Sequence, residues 1–298
     1  MSQIIRPVKR QHTVTERLLK GFAGVDGRLA VFDRAYKQRR MHPPGAGIFV
    51  TEFDRWDSHG AEERWNEFEN DLPVALARVA QGTALHHHDT VETLRAIVAV
   101  HWLRSRSMMR AREQALDRFL GRYRRAAPDT RAEFLAEAYR RRTGLIASTR
   151  SELEWTLDEI IKEVLGEDLD RWHSERDVEY LKIARGRLDQ MPIRIHSATG
   201  ADLVIGDSPV AITIDGRAGA GPHQNVGIEE ADQIAMPIAP DTLITFGATN
   251  LASMLSDEDV AYYNELQWGT FEVWIAARPG GTGDQRLRSE AAVSRQNR

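Results

Sequence analysis

The chain has 298 residues, no cysteine and a formal net charge of -4 at pH 7. The absence of cysteine excludes disulfides, thiolate metal sites, iron–sulfur clusters and a cysteine nucleophile. A hydrophobic fraction of 42% and a charged fraction of 28% are typical of globular proteins. The sequence has no apolar run of membrane-spanning length and no signal-peptide core at its start, so we expect a cytoplasmic protein without a membrane partner.

The first 55 residues predict a β-rich start to the chain. A helical turn is predicted over residues 15–20 from the apolar spacing, and Gly21 would end it. Residues 29–32 follow the turn signal Asp26-Gly27, and residues 45–50 form a second β-prone run. These runs predict an N-terminal hairpin.

Residues 62–190 change to the period of amphipathic helices. Apolar stripes run through residues 65–79 and 94–109, and three further helices are predicted over residues 130–142, 151–165 and 175–188. Pro73 lies inside the first stripe, so that helix either kinks there or restarts with Asp71 as its N-cap. The middle of the chain is therefore predicted to be a helical bundle.

After Pro192 the strand pattern returns, interrupted by one helix over residues 257–266. The β-prone runs are residues 193–196, 202–205, 210–214, 234–238, 243–246 and 271–275. We expect an α+β fold, in which the N-terminal hairpin and a mainly antiparallel C-terminal sheet pack against the central helical bundle. The expected organisation is one domain over residues 1–280 (β-rich 1–55, bundle 62–190, β-rich 192–278) and a flexible tail over residues 281–298.

Charge is strongly segregated along the bundle. Between residues 101 and 150 there are thirteen arginines and five acidic residues, and between residues 151 and 180 there are eleven acidic and three basic residues. Adjacent helices of opposite charge explain this pattern. The alternative is a nucleic-acid partner bound by the arginine-rich helices over residues 104–142, because arginines neutralise phosphates.

Three polar side chains fall on helix faces that should be apolar. Glu69 lies four residues after Trp65, while His101 and Arg104 lie four and seven residues after Ile97. A buried Glu and a buried Arg on neighbouring helices would most simply form an ion pair, because an unpaired buried charge is costly. The alternatives are side chains that reach solvent along the helix surface and a role in an active site.

Two further residues are candidates for chemistry. Asp207, in the Gly206-Asp207-Ser208-Pro209 turn, is either a turn former or a general base or metal ligand at a strand end. His12 is either a structural histidine or an acid–base catalyst. Residues 86–88 are three consecutive histidines, but their spacing favours a solvated linker over a metal site.

The order of short motifs resembles a bacterial family known as domain of unknown function family 4238. The motifs are Gln11-His12-Thr13-Val14 leading to Leu18 and Phe22, with Thr15 where the family pattern has Pro; Leu29-Ala30-Val31-Phe32-Asp33; a helix with Glu63 and Glu69; Arg104-Ser105; Gly206-Asp207-Ser208-Pro209-Val210; Pro237-Ile238-Ala239-Pro240; and Tyr263-Asn264-Glu265-Leu266-Gln267. The resemblance implies that His12, Glu69, Arg104 and Asp207 belong to one recurring set. It brings no known activity.

Two functional hypotheses follow. In the first, the chain is a hydrolase of a phosphodiester or another anionic substrate. Asp207 or Glu69 would be its base or the ligand of a divalent metal ion, His12 its acid–base group, and Arg104 its anion-binding group. In the second, it is a non-enzymatic interaction or regulatory module, for example of a defence or mobile-element system, and the same side chains hold the bundle on the sheet.

Overall fold

The computed structural model describes residues 10–52, 59–111, 114, 121, 125–165, 169–214, 227–248 and 251–296, and it confirms the α+β class. The helices are α1 (Glu16–Gly21), α2 (His59–Ala80), α3 (His88–Leu103), α4 (Pro128–Thr143), α5 (Arg150–Leu165), α6 (Leu169–Asp189), α7 (Asp257–Thr270) and α8 (Thr282–Gln296). The strands are β1 (Arg10–His12), β2 (Leu29–Asp33), β3 (Gln38–His42), β4 (Val50–Glu52), β5 (Ile193–Ala198), β6 (Ile205–Gly206), β7 (Ala211–Thr213), β8 (Gln233–Ala239), β9 (Thr242–Gly247), β10 (Met254–Leu255) and β11 (Trp274–Ala277).

The strands form three sheets, and a hairpin of β2 and β3 joins a late strand in one of them. That sheet has the order β3-β2-β11-β6, and all of its pairs are antiparallel. A second sheet has the order β10-β5-β9-β8-β7, in which only β10 and β5 run parallel. Strands β1 and β4 form a separate antiparallel pair. The predicted second strand over residues 45–50 is wrong: residues 47–49 form a short 3₁₀ helix, and β4 pairs with β1 instead.

The largest buried cluster of apolar side chains joins the helices to the sheets. Leu18 of α1, Ile97 of α3 and Leu188 of α6 pack in one core with Ile234 of β8 and Trp274 of β11. All five are at most 1% exposed. The burial of so many large apolar side chains is the main favourable term in folding.

The helix that contains Pro73 neither restarts nor needs an internal cap. Helix α2 runs through the proline from His59 to Ala80. A proline inside a helix has no N–H, so the carbonyl four residues earlier, that of Glu69, loses its helical donor.

The C-terminal segment is a helix, and the expectation of a flexible tail over residues 281–298 is wrong for the part described. Helix α8 buries Leu287 and Ala291, four residues apart, in a cluster with Ile275 and Ala277 of β11. Asp284 is fully buried and accepts hydrogen bonds of 2.8 Å from Nε and Nη2 of Arg39. The segment is mostly polar, so its single apolar face, formed by Leu287 and Ala291, was not recognised from the composition. The single-domain organisation stays a prediction.

Candidate functional site

Arg104 connects two elements that are far apart in the sequence. It follows α3 directly, and its side chain is only 6% exposed. Nη1 donates a 2.9 Å hydrogen bond to Oε1 of Glu69, and Nη2 donates to the carbonyl oxygen of His12. The structure therefore contains the acid–guanidinium pair and also binds Arg104 to the end of β1.

Glu69 is held at its backbone as well as at its carboxylate. The carbonyl that Pro73 leaves without a helical donor accepts a hydrogen bond from Nη1 of Arg17, at the start of α1. This contact fixes the turn of α2 that carries Glu69 next to α1. Sequence reasoning missed Arg17, although a proline four residues after an acidic candidate marks a carbonyl that needs an outside donor.

His12, the last residue of β1, has one ring nitrogen that pairs with no atom of the residues the structure describes. Its ring makes a hydrogen bond to the backbone of Pro44, which has only a carbonyl to offer. Nε2 is buried and has no hydrogen-bond partner among the described residues, so the N–H that donates to Pro44 is on Nδ1. Burial lowers the pKa of His12, and the charge of Glu16 opposes this shift while that of Arg104 adds to it. The imidazole is therefore a neutral base whose free lone pair lies on Nε2.

His101 has a structural position in the core. It is fully buried; Nδ1 lies 2.7 Å from the carbonyl oxygen of Ile97, and Nε2 accepts a 3.1 Å hydrogen bond from the backbone N–H of Thr15. Burial lowers the pKa of His101 to about 3, so the ring is neutral. Thr15, which donates this N–H, stands where the family pattern has a proline. A proline at that position would have no N–H to donate to His101.

Asp207 lies in a second cluster. Its carboxylate is fully buried and accepts backbone N–H hydrogen bonds from Glu272 (2.8 Å), Val273 (2.6 Å) and Trp274 (3.2 Å). Nε of Arg106 lies 3.7 Å from Oδ2. Burial raises the pKa of Asp207 to about 6, while these donors oppose the shift. These donors take up both carboxylate oxygens, which favours the turn-former interpretation.

The structure thus brings together three of the four predicted site residues. Arg104 contacts both the carboxylate of Glu69 and the backbone carbonyl of His12, and no described contact joins Asp207 to any of the three. The short connection after α3 lies between the two clusters. Arg104 points to the first of them, and the N–H of Arg106 donates to the carbonyl of Asp207 at 3.3 Å.

The sequence motif over residues 263–267 contains two amide side chains of α7, Asn264 and Gln267, whose structural role was not predicted. Oδ1 of Asn264 accepts the N–H of Val204 at 2.8 Å, and Oε1 of Gln267 accepts the N–H of Gly206 at 3.0 Å. Their NH₂ groups donate to the carbonyls of Asp202 and Pro209. The signal was present as two amides three residues apart on a helix face otherwise occupied by Val260, Tyr263 and Leu266.

Other predicted features carry no site in the part of the chain that the structure describes. Within it, no three His, Asp or Glu side chains are grouped so that they could hold a metal ion, and residues 86–88 are exposed. No helix there has the length and apolarity needed to cross a bilayer. Four arginines of the predicted basic face, Arg112, Arg118, Arg122 and Arg124, lie outside the described residues.

Comparison with known proteins gives a family without an activity. The sequence profile of the family described as "Protein of unknown function (DUF4238)" matches residues 10–280. No curated protein and no solved structure matches the chain.

The neutral, buried state of His101 predicts a loss of stability in acid. Between about pH 6.5 and about pH 3 the unfolded chain binds a proton at this ring and the folded chain does not. His101 therefore contributes a fall in unfolding free energy of about 1.4 kcal/mol per pH unit as the pH drops. Chemical denaturation of the wild type and His101→Gln at several pH values tests this, because their difference in stability should shrink in acid. A difference that does not change with pH would contradict the assignment.

The donors around Asp207 predict that Asp207→Asn destabilises the fold. The new NH₂ group would face N–H donors, and Arg106 would lose its carboxylate, for an expected cost of about 2–4 kcal/mol. Thermal unfolding measures this, with Asp241→Asn, an exposed turn aspartate, as the control. If Asp207→Asn folds as stably as the wild type but loses an activity, the turn-former interpretation is wrong and Asp207 is a candidate catalytic residue.

Proposed function

The chain belongs to the family described as "Protein of unknown function (DUF4238)", and for this member we propose a hydrolase of anionic substrates in which His12 is the general base. The observation that carries the proposal is the buried Nε2 of His12, which has no partner among the described residues. Buried polar atoms are almost always paired, so an unpaired one is a candidate for a group that pairs with substrate or water. The lowered pKa of the ring keeps it in its basic form at neutral pH.

A phosphodiester is the substrate class that fits these residues best. Nε2 of His12 would take a proton from water as the water oxygen forms its bond to phosphorus. The bond from phosphorus to the leaving oxygen breaks, and the proton passes from His12 to that oxygen. Arg17 is exposed and binds the carbonyl of Glu69, so it can place a positive charge next to the phosphate.

The other members of the cluster would act as positioning residues. Arg104 binds the carbonyl of His12 and the carboxylate of Glu69, so its role is to orient β1 rather than to hold the anion that the sequence suggested. His12 and Glu69 alone offer fewer donors than the three protein ligands typical of catalytic zinc sites. The described residues therefore do not fit a metal centre, and no step is assigned to a divalent ion.

The test is hydrolysis of bis(4-nitrophenyl) phosphate by the wild type and His12→Asn. We expect turnover to fall by a factor of about 100 or more, as for the loss of a general base. Folding should be retained, because the backbone carbonyl that binds Arg104 is unchanged. His87→Asn, an exposed histidine, is the matched control. The turnover of the wild type should increase with pH and level off, with its midpoint below pH 6.5, because the pKa of His12 is lowered.

Two results would contradict the proposal. One is a wild type without phosphodiesterase turnover above that of the buffer. The other is turnover in His12→Asn equal to that of the wild type.

A non-enzymatic interaction or regulatory module is the second candidate, and one observation favours it. Both terminal amino groups of Arg104 are already bonded within the protein, one to the carboxylate of Glu69 and one to the carbonyl of His12, and both carboxylate oxygens of Asp207 hold a distant backbone segment. In that case the clusters stabilise the fold and catalyse nothing.

This candidate predicts a purely structural effect of Glu69→Ala. The variant should lose about 2–3 kcal/mol of unfolding free energy, near the lower end for breaking a buried pair because Glu69 is 26% exposed. Chemical denaturation measures the loss, and Asn70→Ala, an exposed neighbour on α2, is the control. Under this candidate the wild type has no turnover and His12→Asn is as stable as the wild type. Wild-type turnover that His12→Asn loses would exclude this candidate.

A further inference from the structure

Helices α4 and α5 form a hairpin whose end is built to a fixed shape. We call residues 144–149 the hairpin tip. Gly144 takes a left-handed conformation with φ of 72°, and its N–H donates to the carbonyl of Arg140. The N–H groups of Ser148 and Thr149 donate to Oε2 of Glu152 at 2.6 and 2.7 Å, and their hydroxyls donate to the same oxygen. These bonds lower the pKa of Glu152 to about 2, so the carboxylate that holds the tip stays charged.

The fixed tip presents two large aliphatic side chains to solvent. Leu145 is 61% exposed and Ile146 is 81% exposed. A single exposed aliphatic residue is ordinary on a protein surface. Here two stand in succession on a loop that internal hydrogen bonds hold at its second half, and together they form an apolar projection.

An open groove lies on the same hairpin. Its volume is about 320 Å³, and its lining residues are Tyr139, Thr143, Ser151, Glu152 and Trp155. The rings of Tyr139 and Trp155 meet edge to face at 6.0 Å, and Trp155 remains 44% exposed. Tyr139 is buried at 8% exposure, so the open aromatic surface is that of Trp155, and an exposed aromatic ring beside a polar rim is typical of a binding site.

We propose that the occupant of this groove is the hairpin tip of a second copy of the chain. A projection and a groove on one rigid hairpin cannot fill each other, but a two-fold axis places each projection in the partner's groove. Leu145 and Ile146 of each copy would pack on Tyr139 and Trp155 of the other. This arrangement buries the exposed apolar surface of both copies through one repeated contact.

The charges of the two helices favour the same pairing. Arg140 and Arg141 of α4 are 61% and 77% exposed and share one carboxylate, that of Glu137. Glu154 of α5 is 60% exposed, pairs with Arg150 of its own helix at 2.8 Å, and lies in the acidic block that follows residue 150. An antiparallel contact would set the arginines of one copy near the acidic helix of the other. A nucleic acid would satisfy the arginines and leave Leu145 and Ile146 in water, so it fits the surface less well.

Sedimentation velocity of the full chain over a range of concentrations tests the proposal. We expect the wild type to be a dimer whose dissociation constant lies in or below the micromolar range. Ile146→Asp should raise that constant by a factor of about ten or more, because it puts a charge in an apolar groove. Val25→Asp, a fully exposed position elsewhere, is the matched control and should not change it.

A second variant approaches the contact from the groove side. Ser151→Arg fills the groove at an exposed position and should weaken the dimer as Ile146→Asp does. A 1:1 mixture of the two variants contains heterodimers with one intact projection-in-groove contact. The mixture should therefore associate more tightly than either variant alone, which is the result that only a reciprocal contact gives.

Three outcomes would overturn the proposal. The first is a wild type that is monomeric throughout the concentration range. The second is a dimer that Ile146→Asp and Ser151→Arg leave unchanged. The third is a monomer that binds a DNA or RNA oligonucleotide through the hairpin, which would assign this surface to nucleic acid.

Discussion

The carboxylate of Asp207 determines how three distant parts of the chain meet. It accepts the N–H groups of three consecutive residues, 272–274, just where β11 begins. Through Arg106 it also holds the connection that leaves α3. A buried carboxylate is costly unless such donors surround it, so the turn, the strand and the connection stabilise one another. The position of Arg104, two residues before Arg106, depends on the same contact.

Several buried polar side chains share one task, which is to pair backbone groups that secondary structure leaves open. His101 binds the N–H of Thr15, and Asn264 and Gln267 bind the backbone beside β6. Buried backbone groups need partners, and side chains supply them where a strand is only two residues long. A buried polar side chain of this kind therefore need not be catalytic. His12 differs from them because its Nε2 is left without a partner among the described residues.

The helices and the pair of Glu69 with Arg104 could be predicted because both depend on local spacing. The period of 3.6 residues places a side chain on a face, and an inward acid and an inward guanidinium then need each other. Strand β3 was missed because Gln38-Arg39-Arg40 has no β-prone pattern and forms a strand only by pairing with β2. The partners of Asp207 lie 65 to 67 residues away, and no local pattern encodes a contact of that separation.

Because of the proline inside α2, the six-residue helix α1 contributes a hydrogen bond to α2. The guanidinium of Arg17 replaces the amide that Pro73 lacks, so a side chain of α1 completes the hydrogen-bond ladder of a helix more than forty residues later. Displacement of α1, for instance by a bulky fusion close to it, would leave that ladder open at its midpoint. Glu69 would then be held only through its carboxylate by Arg104, and the turn of α2 that carries it would lose its backbone link to α1.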